Sequence, residues 1–512
     1  MGLGILEPKG LITSIPGTTR FFDNDPDVEP VPDLKFADCS GKQCIILIPQ
    51  PSDDPNDPLN WPLWRRDTAT LTLCFVGALA TSLGPILAAN TITVAGELSR
   101  PPGDVVALTG CFLLGSGAGA VLAVPSARTW GKRHIFLLAT CVILASSIWA
   151  GTAGTDYKSL VAARVVQGAG AAPFESLLGA AVGDMYHVHQ RGVRMACAGL
   201  SVSGAAFSTP VIAGVVTRRL GWQWTFHIVS ILAGAALPAV LFLCPEMAYV
   251  RGEERSKPST SSSADGCRRH KTFIQSLAPF DGRKTENGCW ALLLRPFVLL
   301  ANPTFVWVCL IQGTTVGWTV FVAVVLATIF IGPPYHWTEV QAGYAYGGAF
   351  AGALVGFAVA GLLADATVRW LARRNGGLYE PEFRIVLVGP MFVAGGVGLF
   401  GFAVTAGQVL SGRYAYIVPL VFVAFEVAGM VIGAVASSLY IIDANRHLAI
   451  EGFTIMVVIK NMLSFGLTFK AFEWIMSVGI KETVLPIAGV QVAICALSIP
   501  MYHSTTNMIP WF

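Results

Sequence analysis

The chain has 512 residues, of which 54% are hydrophobic and only 13% charged, with a formal net charge of +3 and a mean hydropathy of +0.61. That balance excludes an intrinsically disordered polymer, and so small a net charge gives no basis for nucleic-acid recognition. The 11 cysteines are scattered without a C-x-x-C pair, so neither a disulfide framework nor a metal site is expected, and no cofactor is.

Residues 1–67 are rich in Pro, Asp and Gly without sustained periodicity, which predicts a disordered tail with no signal peptide. Apolar stretches then follow at 68–90, 104–125, 135–154, 159–184, 194–217, 225–245, 303–331, 340–364, 385–408, 414–438, 450–472 and 483–503. Each is close to the roughly 20 helical residues that cross about 30 Å of hydrocarbon. In lipid a backbone must satisfy its own hydrogen bonds, and runs of this length fit helices rather than alternating barrel strands. The predicted fold class is therefore an all-α polytopic membrane protein with twelve transmembrane helices. Its expected layout is a six-helix bundle over 68–245, a linker over 246–299, a second six-helix bundle over 300–503 and a tail over 504–512.

The linker carries a Ser/Thr run at 259–263 and then Arg268, Arg269, His270 and Lys271, which reads as a solvated connector with a basic stretch. If both termini are cytoplasmic, the short inner loops collect Arg128, Lys132, Arg133, Arg191, Arg194 and Arg384 among others, and Lys and Arg are in excess inside. That predicts a multi-pass protein with both ends in the cytoplasm.

Ionisable residues within the spans are costly in lipid and mark functional positions. Arg164 and Glu175 share the fourth span, Glu426 lies in the tenth and Lys460 in the eleventh. Eleven helical residues return to within about 20° of the same face and about 16 Å along the axis, so Arg164 and Glu175 can look into one cavity. Arg164 can also snorkel to the surface. Glu426 either faces the cavity beside Glu175, favouring a cationic substrate, or is neutralised by Lys460 as an internal pair. The aromatics Trp307, Trp318, Tyr344 and Tyr346 are candidates for lining an apolar pocket, and Gly115-Ser-Gly117-Ala-Gly119 suits close helix packing.

Six helices, a long linker and six more resemble the major facilitator superfamily. Local motifs carry the likeness. Pro125-Ser-Ala-Arg-Thr-Trp-Gly131-Lys132-Arg133 is similar to the family's loop between helices two and three, and Gly361-Leu-Leu-Ala-Asp365 to the same motif in the second half. Asp57-Pro58-Leu59-Asn60-Trp61-Pro62, Pro245-Glu246 and Arg295-Pro296-Phe297 are similar to fungal members. Arg164-Val-Val-Gln167-Gly168-Ala-Gly170 resembles the helix-four motif of proton-coupled members, and Ser208-Thr209-Pro210-Val-Ile-Ala-Gly214 the exporter-associated Gly-Pro-x-x-x-Gly motif, with Thr209 where a Gly usually stands.

The resemblance implies two pseudo-symmetric bundles. It also implies gating by Gly131, Lys132, Arg133, Pro210, Gly214, Gly361 and Asp365, and a part in proton coupling for Arg164 and Gln167. Glu175, Glu426 and Lys460, as ionisable residues within the spans, are the further candidates for proton coupling or transport. Where the family usually places an acid in the first-half loop this chain has Arg128, so the usual inner salt bridge is not expected there.

The function expected from the resemblance is export of small organic molecules by proton antiport in the plasma membrane, with Glu175 protonated and Arg164 modulating it. Proton-driven uptake of an organic cation or polyamine is the alternative, and a nutrient-sensing pseudo-transporter the third reading. The expected partners are a small-molecule substrate, protons and the bilayer, with the protein a monomer and no nucleic acid bound. No metal-spaced cluster, nucleophile–base arrangement or ATP-hydrolysis motif suggests an enzyme or a primary pump.

Overall fold

In the computed structural model the chain is described over residues 47–249, 288–331, 335–375, 378–409, 412–444 and 448–504, with shorter pieces at 19–20, 35, 272, 275, 277–278, 280 and 282–285. The Ser/Thr run at 259–263 and the basic stretch at 268–271 lie outside these residues. Among the described residues, ten helices are long and apolar enough to cross a membrane. Two more, α1 (Leu63–Ser82) and α4 (Tyr157–Met185), carry more charge and complete twelve.

The first six are α1, α2 (Pro102–Trp130), α3 (Arg133–Thr152), α4, α5 (Val188–Leu220) and α6 (Gln223–Leu243). The second six are α7 (Pro303–Ile331), α8 (Glu339–Arg374), α9 (Val388–Val409), α10 (Ile417–Ala444), α11 (Ala449–Val478) and α12 (Ile480–Ala496).

Small residues set the crossings. A Cβ at Gly115 or Gly119 of α2 would overlap the α4 backbone at Val165 and Ala169, and one at Gly168 would overlap the Phe112 carbonyl. Gly117, between them, turns to Met462 of α11. The second half repeats the device, with Gly352 and Gly356 of α8 lying on the α10 backbone at Ala424 and Ala428. Without a hydrophobic force between helices in lipid, backbone approach of this kind is what van der Waals association requires. Gly168→Leu is expected to cost at least about 1–3 kcal/mol, because α2 and α4 must move apart to admit the side chain. The cost should appear as a lowered thermal midpoint in detergent, and an unchanged midpoint would contradict the close crossing.

The sequence predicts a disordered tail through residue 67, but residues 47–62 are folded onto the bundle. Asp57 is fully buried and accepts hydrogen bonds from the Leu59 amide at 3.0 Å and the Ser52 amide at 3.1 Å. The Ile48 carbonyl accepts from the Val188 amide at 2.8 Å, and Thr19–Arg20 pairs antiparallel with Leu378–Tyr379. Pro and Asp suppress helical periodicity, yet an aspartate that caps a tight turn is itself an ordering signal. The linker also holds structure that composition does not announce, a helix at Cys289–Val298.

α5 is interrupted by a π-helical turn at Leu200–Gly204 and carries Pro210 within its second part. Gly214 packs on the Glu339 backbone at the start of α8, and Gly343 of α8 on the Pro210 carbonyl. Pro210 and Gly214 thus serve a contact between the two halves as well as a weakened hydrogen-bond ladder.

Candidate functional site: a central cavity and its closed end

A cavity of about 910 Å³ lies between the two sets of helices and extends from mid-bundle toward the end bearing residues 91–106 and 475–482. Its walls are mainly apolar, and the charged side chains on them are Glu175, Lys460, Lys481 and Glu482, two of each sign. Tyr346 also lines it, with its hydroxyl donating to the Ala323 carbonyl at 2.9 Å.

At the deep end Lys460 Nζ lies 2.8 Å from Glu175 Oε2. Asn461 donates to the same oxygen at 3.1 Å and to the Ser116 hydroxyl at 2.9 Å. Both side chains of the ion pair are largely buried, at 12% exposure for Lys460 and 6% for Glu175. Glu175 comes from α4 and Lys460 from α11, so the pair bridges the two halves. Protonation of the carboxylate would abolish the charge attraction that holds it.

Arg164 does not share this cavity. It is fully buried, and its guanidinium donates to the carbonyls of Leu83 at 2.6 Å, Gly84 at 2.9 Å and Leu108 at 3.3 Å, and to Gln167 Oε1 at 3.0 Å. α1 ends at Ser82, so its last carbonyls lack intrahelical donors, and Arg164 supplies them. Gln167 in turn donates to the Ser146 carbonyl at 3.3 Å. The shared helical face exists, but the guanidinium turns into the first-half bundle rather than toward Glu175.

Glu426 and Lys460 are likewise not brought together. Glu426 is buried within the second half, where Thr319 Oγ1 lies 2.7 Å from its Oε1. It lines a separate recess with Trp318 and Gln491, not the central cavity. Trp318 donates to Gln491 Oε1 at 3.0 Å in that recess. Trp307 is buried elsewhere and donates to the Ser498 hydroxyl at 3.0 Å, while Tyr344 is 60% exposed on the outside of the bundle. Of the four aromatics, Tyr346 alone reaches the central cavity.

The opposite end of the molecule is closed by ion pairs between the halves. Arg191 of α5 lies 3.2 Å from Asp443 Oδ1 of α10, and Arg384 donates to Asp443 Oδ2 at 3.0 Å. The Tyr379 hydroxyl donates to the same oxygen at 2.6 Å. Burial holds that phenol well above its ordinary pKa, so it acts as a neutral donor. Asp365 lies 4.0 Å from Arg384 and sits over Gly192 in the second turn of α5, and Gly361 packs on Ala196 of α5.

A second contact, made by Arg128 itself, stands in place of the salt bridge not expected there. Arg128 pairs through two nitrogens with Glu451 in the first turn of α11, its Nε 2.9 Å from Oε1, and Arg295 from the linker helix lies 3.6 Å from Oε1. The polarity is reversed, with the base in the last turn of α2 and the acid in the first turn of α11. Around it, Lys132 pairs with Asp184 at 2.7 Å and Arg133 donates to the Leu241 carbonyl at 2.8 Å. The Glu246 carboxylate caps α3 by accepting from the amides of Lys132 at 3.0 Å and Arg133 at 3.1 Å. Gly131 has φ of +99°, and any side chain there would run into Glu246.

Asn461, Ser116, Asp443, Glu451 and Tyr379 escape the sequence reading. For the two acids a signal exists, since arginines such as Arg191 and Arg384 need counterions and Asp443 and Glu451 flank the loop between α10 and α11.

Twelve helices in two repeated sets, a cavity between them and an ion-paired end define a transporter fold rather than an enzyme. The sequence profile of the Major Facilitator Superfamily matches residues 69–449, and the chain belongs to that family. It is similar to protein HOL1 of Saccharomyces cerevisiae, 22% identical, over 91% of this chain and 90% of that one. It is also similar to the efflux pump radE of Floropilus chiversii, 23% identical, over 82% and 76% of the two chains. Among solved structures, the proton:xylose symporter XylE bound to 6-bromo-6-deoxy-D-glucose superposes with a TM-score of 0.60 at 14% identity, covering 86% of this chain and 97% of that one. The protein is a multi-pass membrane transporter of small molecules.

Proposed function

We propose that the protein exports small, largely apolar and uncharged organic molecules from the cell in exchange for protons, by alternating access across the plasma membrane. The observation that carries this reading is the Glu175–Lys460 pair at the deep end of a cavity whose charged lining is balanced. A cationic substrate would find Glu175 already neutralised, which speaks against the organic-cation reading. The name of the relative radE, an efflux pump, supports the outward direction. The ion-paired end carries Arg128, Lys132, Arg133, Arg191 and Arg384, and an excess of Lys and Arg supports its assignment to the cytoplasm.

In this cycle the cavity faces outward while the ion-paired end is shut. A proton from outside binds Glu175 and frees Lys460, and substrate leaves. After the halves rock, the proton passes to the cytoplasm, Lys460 recaptures the carboxylate and new substrate enters. Each site is exposed to one side at a time, so proton entry is tied to substrate exit.

The test uses purified protein in liposomes with an imposed pH gradient and three fluorescent organic probes of similar size, one neutral, one cationic and one anionic. The neutral probe is expected to move opposite to the protons, and a protonophore should abolish its accumulation. Movement with the protons, or movement indifferent to the protonophore, would overturn antiport.

A further inference from the structure

Glu426 is 3% exposed, and its second oxygen, Oε2, has no hydrogen-bond partner. The recess around it is built by Met391, Gly395 and Leu399 on α9, Met430 on α10, and Ala488 and Val492 on α12. Gly398 lets the α9 backbone lie directly on Glu426. No Lys, Arg or His lines the recess among the described residues. The other titratable group there is Cys495, which receives the Gln491 amide at 3.5 Å. Gln491 Oε1 is committed to Thr314 at 2.9 Å and Trp318 at 3.0 Å. A carboxylate in such a place, with one oxygen bare, is strongly disfavoured unless it is neutralised.

The hydrogen bonds around Thr319 offer the neutralisation. Thr319 Oγ1 lies 2.7 Å from Glu426 Oε1 and 2.9 Å from the Thr315 carbonyl of its own helix. A hydroxyl has one hydrogen, and a carbonyl can only accept. If Thr319 donates to Thr315, the contact with Glu426 is a hydrogen bond only when the carboxyl carries the proton. If Thr319 turns its hydrogen to Glu426, the carboxyl is free to be charged. The hydroxyl rotamer therefore follows the protonation of Glu426. Thr319 also lines the central cavity, as does Met430. The free volume beside Glu426 is about 10 Å³, close to the minimum for one water.

We propose that Glu426 is a second proton-carrying site, separate from Glu175, which exchanges its proton with the central cavity through the Thr319 hydroxyl. The step balances as a relay. Thr319 first turns its hydrogen from the Thr315 carbonyl to a water in the cavity; the Glu426 O–H bond then breaks as its proton forms a bond to Thr319 Oγ1, while the original hydroxyl hydrogen leaves to that water. The reverse step reloads the site from solvent. Thr319 is a positioning and relay residue, and Glu426 holds the proton. Unlike Glu175 it has no ammonium partner, so the two carboxyls respond to pH independently.

The test needs no substrate. Full-length protein in lipid is compared with Glu426→Gln, Thr319→Val and Thr319→Ser by infrared difference spectroscopy across a pH step in H₂O and in D₂O. The wild type should show a protonated-carboxyl stretch that shifts in D₂O and is missing in Glu426→Gln. In Thr319→Val that band should move to higher frequency, as for a carboxyl without a hydrogen bond, and exchange deuterium about tenfold more slowly, the equivalent of one lost hydrogen bond. Thr319→Ser should restore both properties. The same band in Glu426→Gln as in the wild type would overturn the site. Exchange unaffected in Thr319→Val would overturn the route, and because that variant keeps the carboxyl this result stands even if Glu426→Gln does not fold.

Discussion

Asp443→Asn is expected to destabilise the protein by about 3–5 kcal/mol, the range for removing one partner of a buried ion pair. Asp443 has a fully buried side chain and meets Arg191, Arg384 and Tyr379 together. Asparagine keeps the shape but takes the paired carboxylate from Arg191 and leaves Arg384 with Asp365 alone, 4.0 Å away. Arg191 retains the carbonyls of Tyr186 at 3.0 Å and Gly183 at 3.0 Å, and Arg384 that of Ala364 at 2.9 Å, so local geometry persists while the charge does not. The measurement is the thermal midpoint of purified protein in detergent. A companion variant that also carries Arg191→Met and Arg384→Met should recover most of the loss, since replacing a whole buried charge network is often neutral. No drop for Asp443→Asn, or no recovery in the triple variant, would show that the cluster does not act as a charge unit.

Glu175→Gln is expected to cut proton-driven transport by about 10²- to 10⁴-fold, the range for losing a positioned proton-transfer group. Lys460→Met should leave an unpaired carboxylate and shift the pH at which the residual transport is half-maximal. The double variant removes both charges, so it should fold at least as well as either single variant and still transport without proton coupling. These outcomes separate a coupling site from a structural pair. If the pair merely staples α4 to α11, the double variant would regain transport that still follows the pH gradient. Asp365→Asn should act differently, because Asp365 belongs to the ion-paired end and not to the cavity. Its expected effect is faster labelling of cysteines placed at that end, with little change in substrate affinity.

The architecture was readable because bilayer thickness imposes a length on each apolar run, and the fall in hydropathy between runs marks the loops. Some details were readable for the same kind of reason. Glycines at a spacing of four suit a close crossing, and Gly115 and Gly119 do lie on α4. The capped turn at Asp57 was hidden because apolar periodicity is the main sequence signal for order, and a proline-rich turn has none.

Charge pairing divides what sequence could and could not determine. Periodicity assigns a side chain to a face of its own helix, and it marked Arg164, Glu175, Glu426 and Lys460 as ionisable groups within the spans, where an unpartnered charge is costly. It cannot say which helix that face meets. Lys460 is 285 positions from Glu175, so their meeting depends on how two six-helix sets dock, and a rotation of α11 by part of a turn would aim the ammonium elsewhere. Arg164 turned away because the end of α1 left carbonyls within its reach. The reversed Arg128–Glu451 pair arose because the last turn of α2 in one half faces the first turn of α11 in the other. Composition and span length determined that the chain is a twelve-helix membrane protein, since both are properties of the chain against its solvent. The partners of its buried charges were decided by tertiary structure, because hydrogen bonds act over about 3 Å and only the docked bundles bring such groups that close.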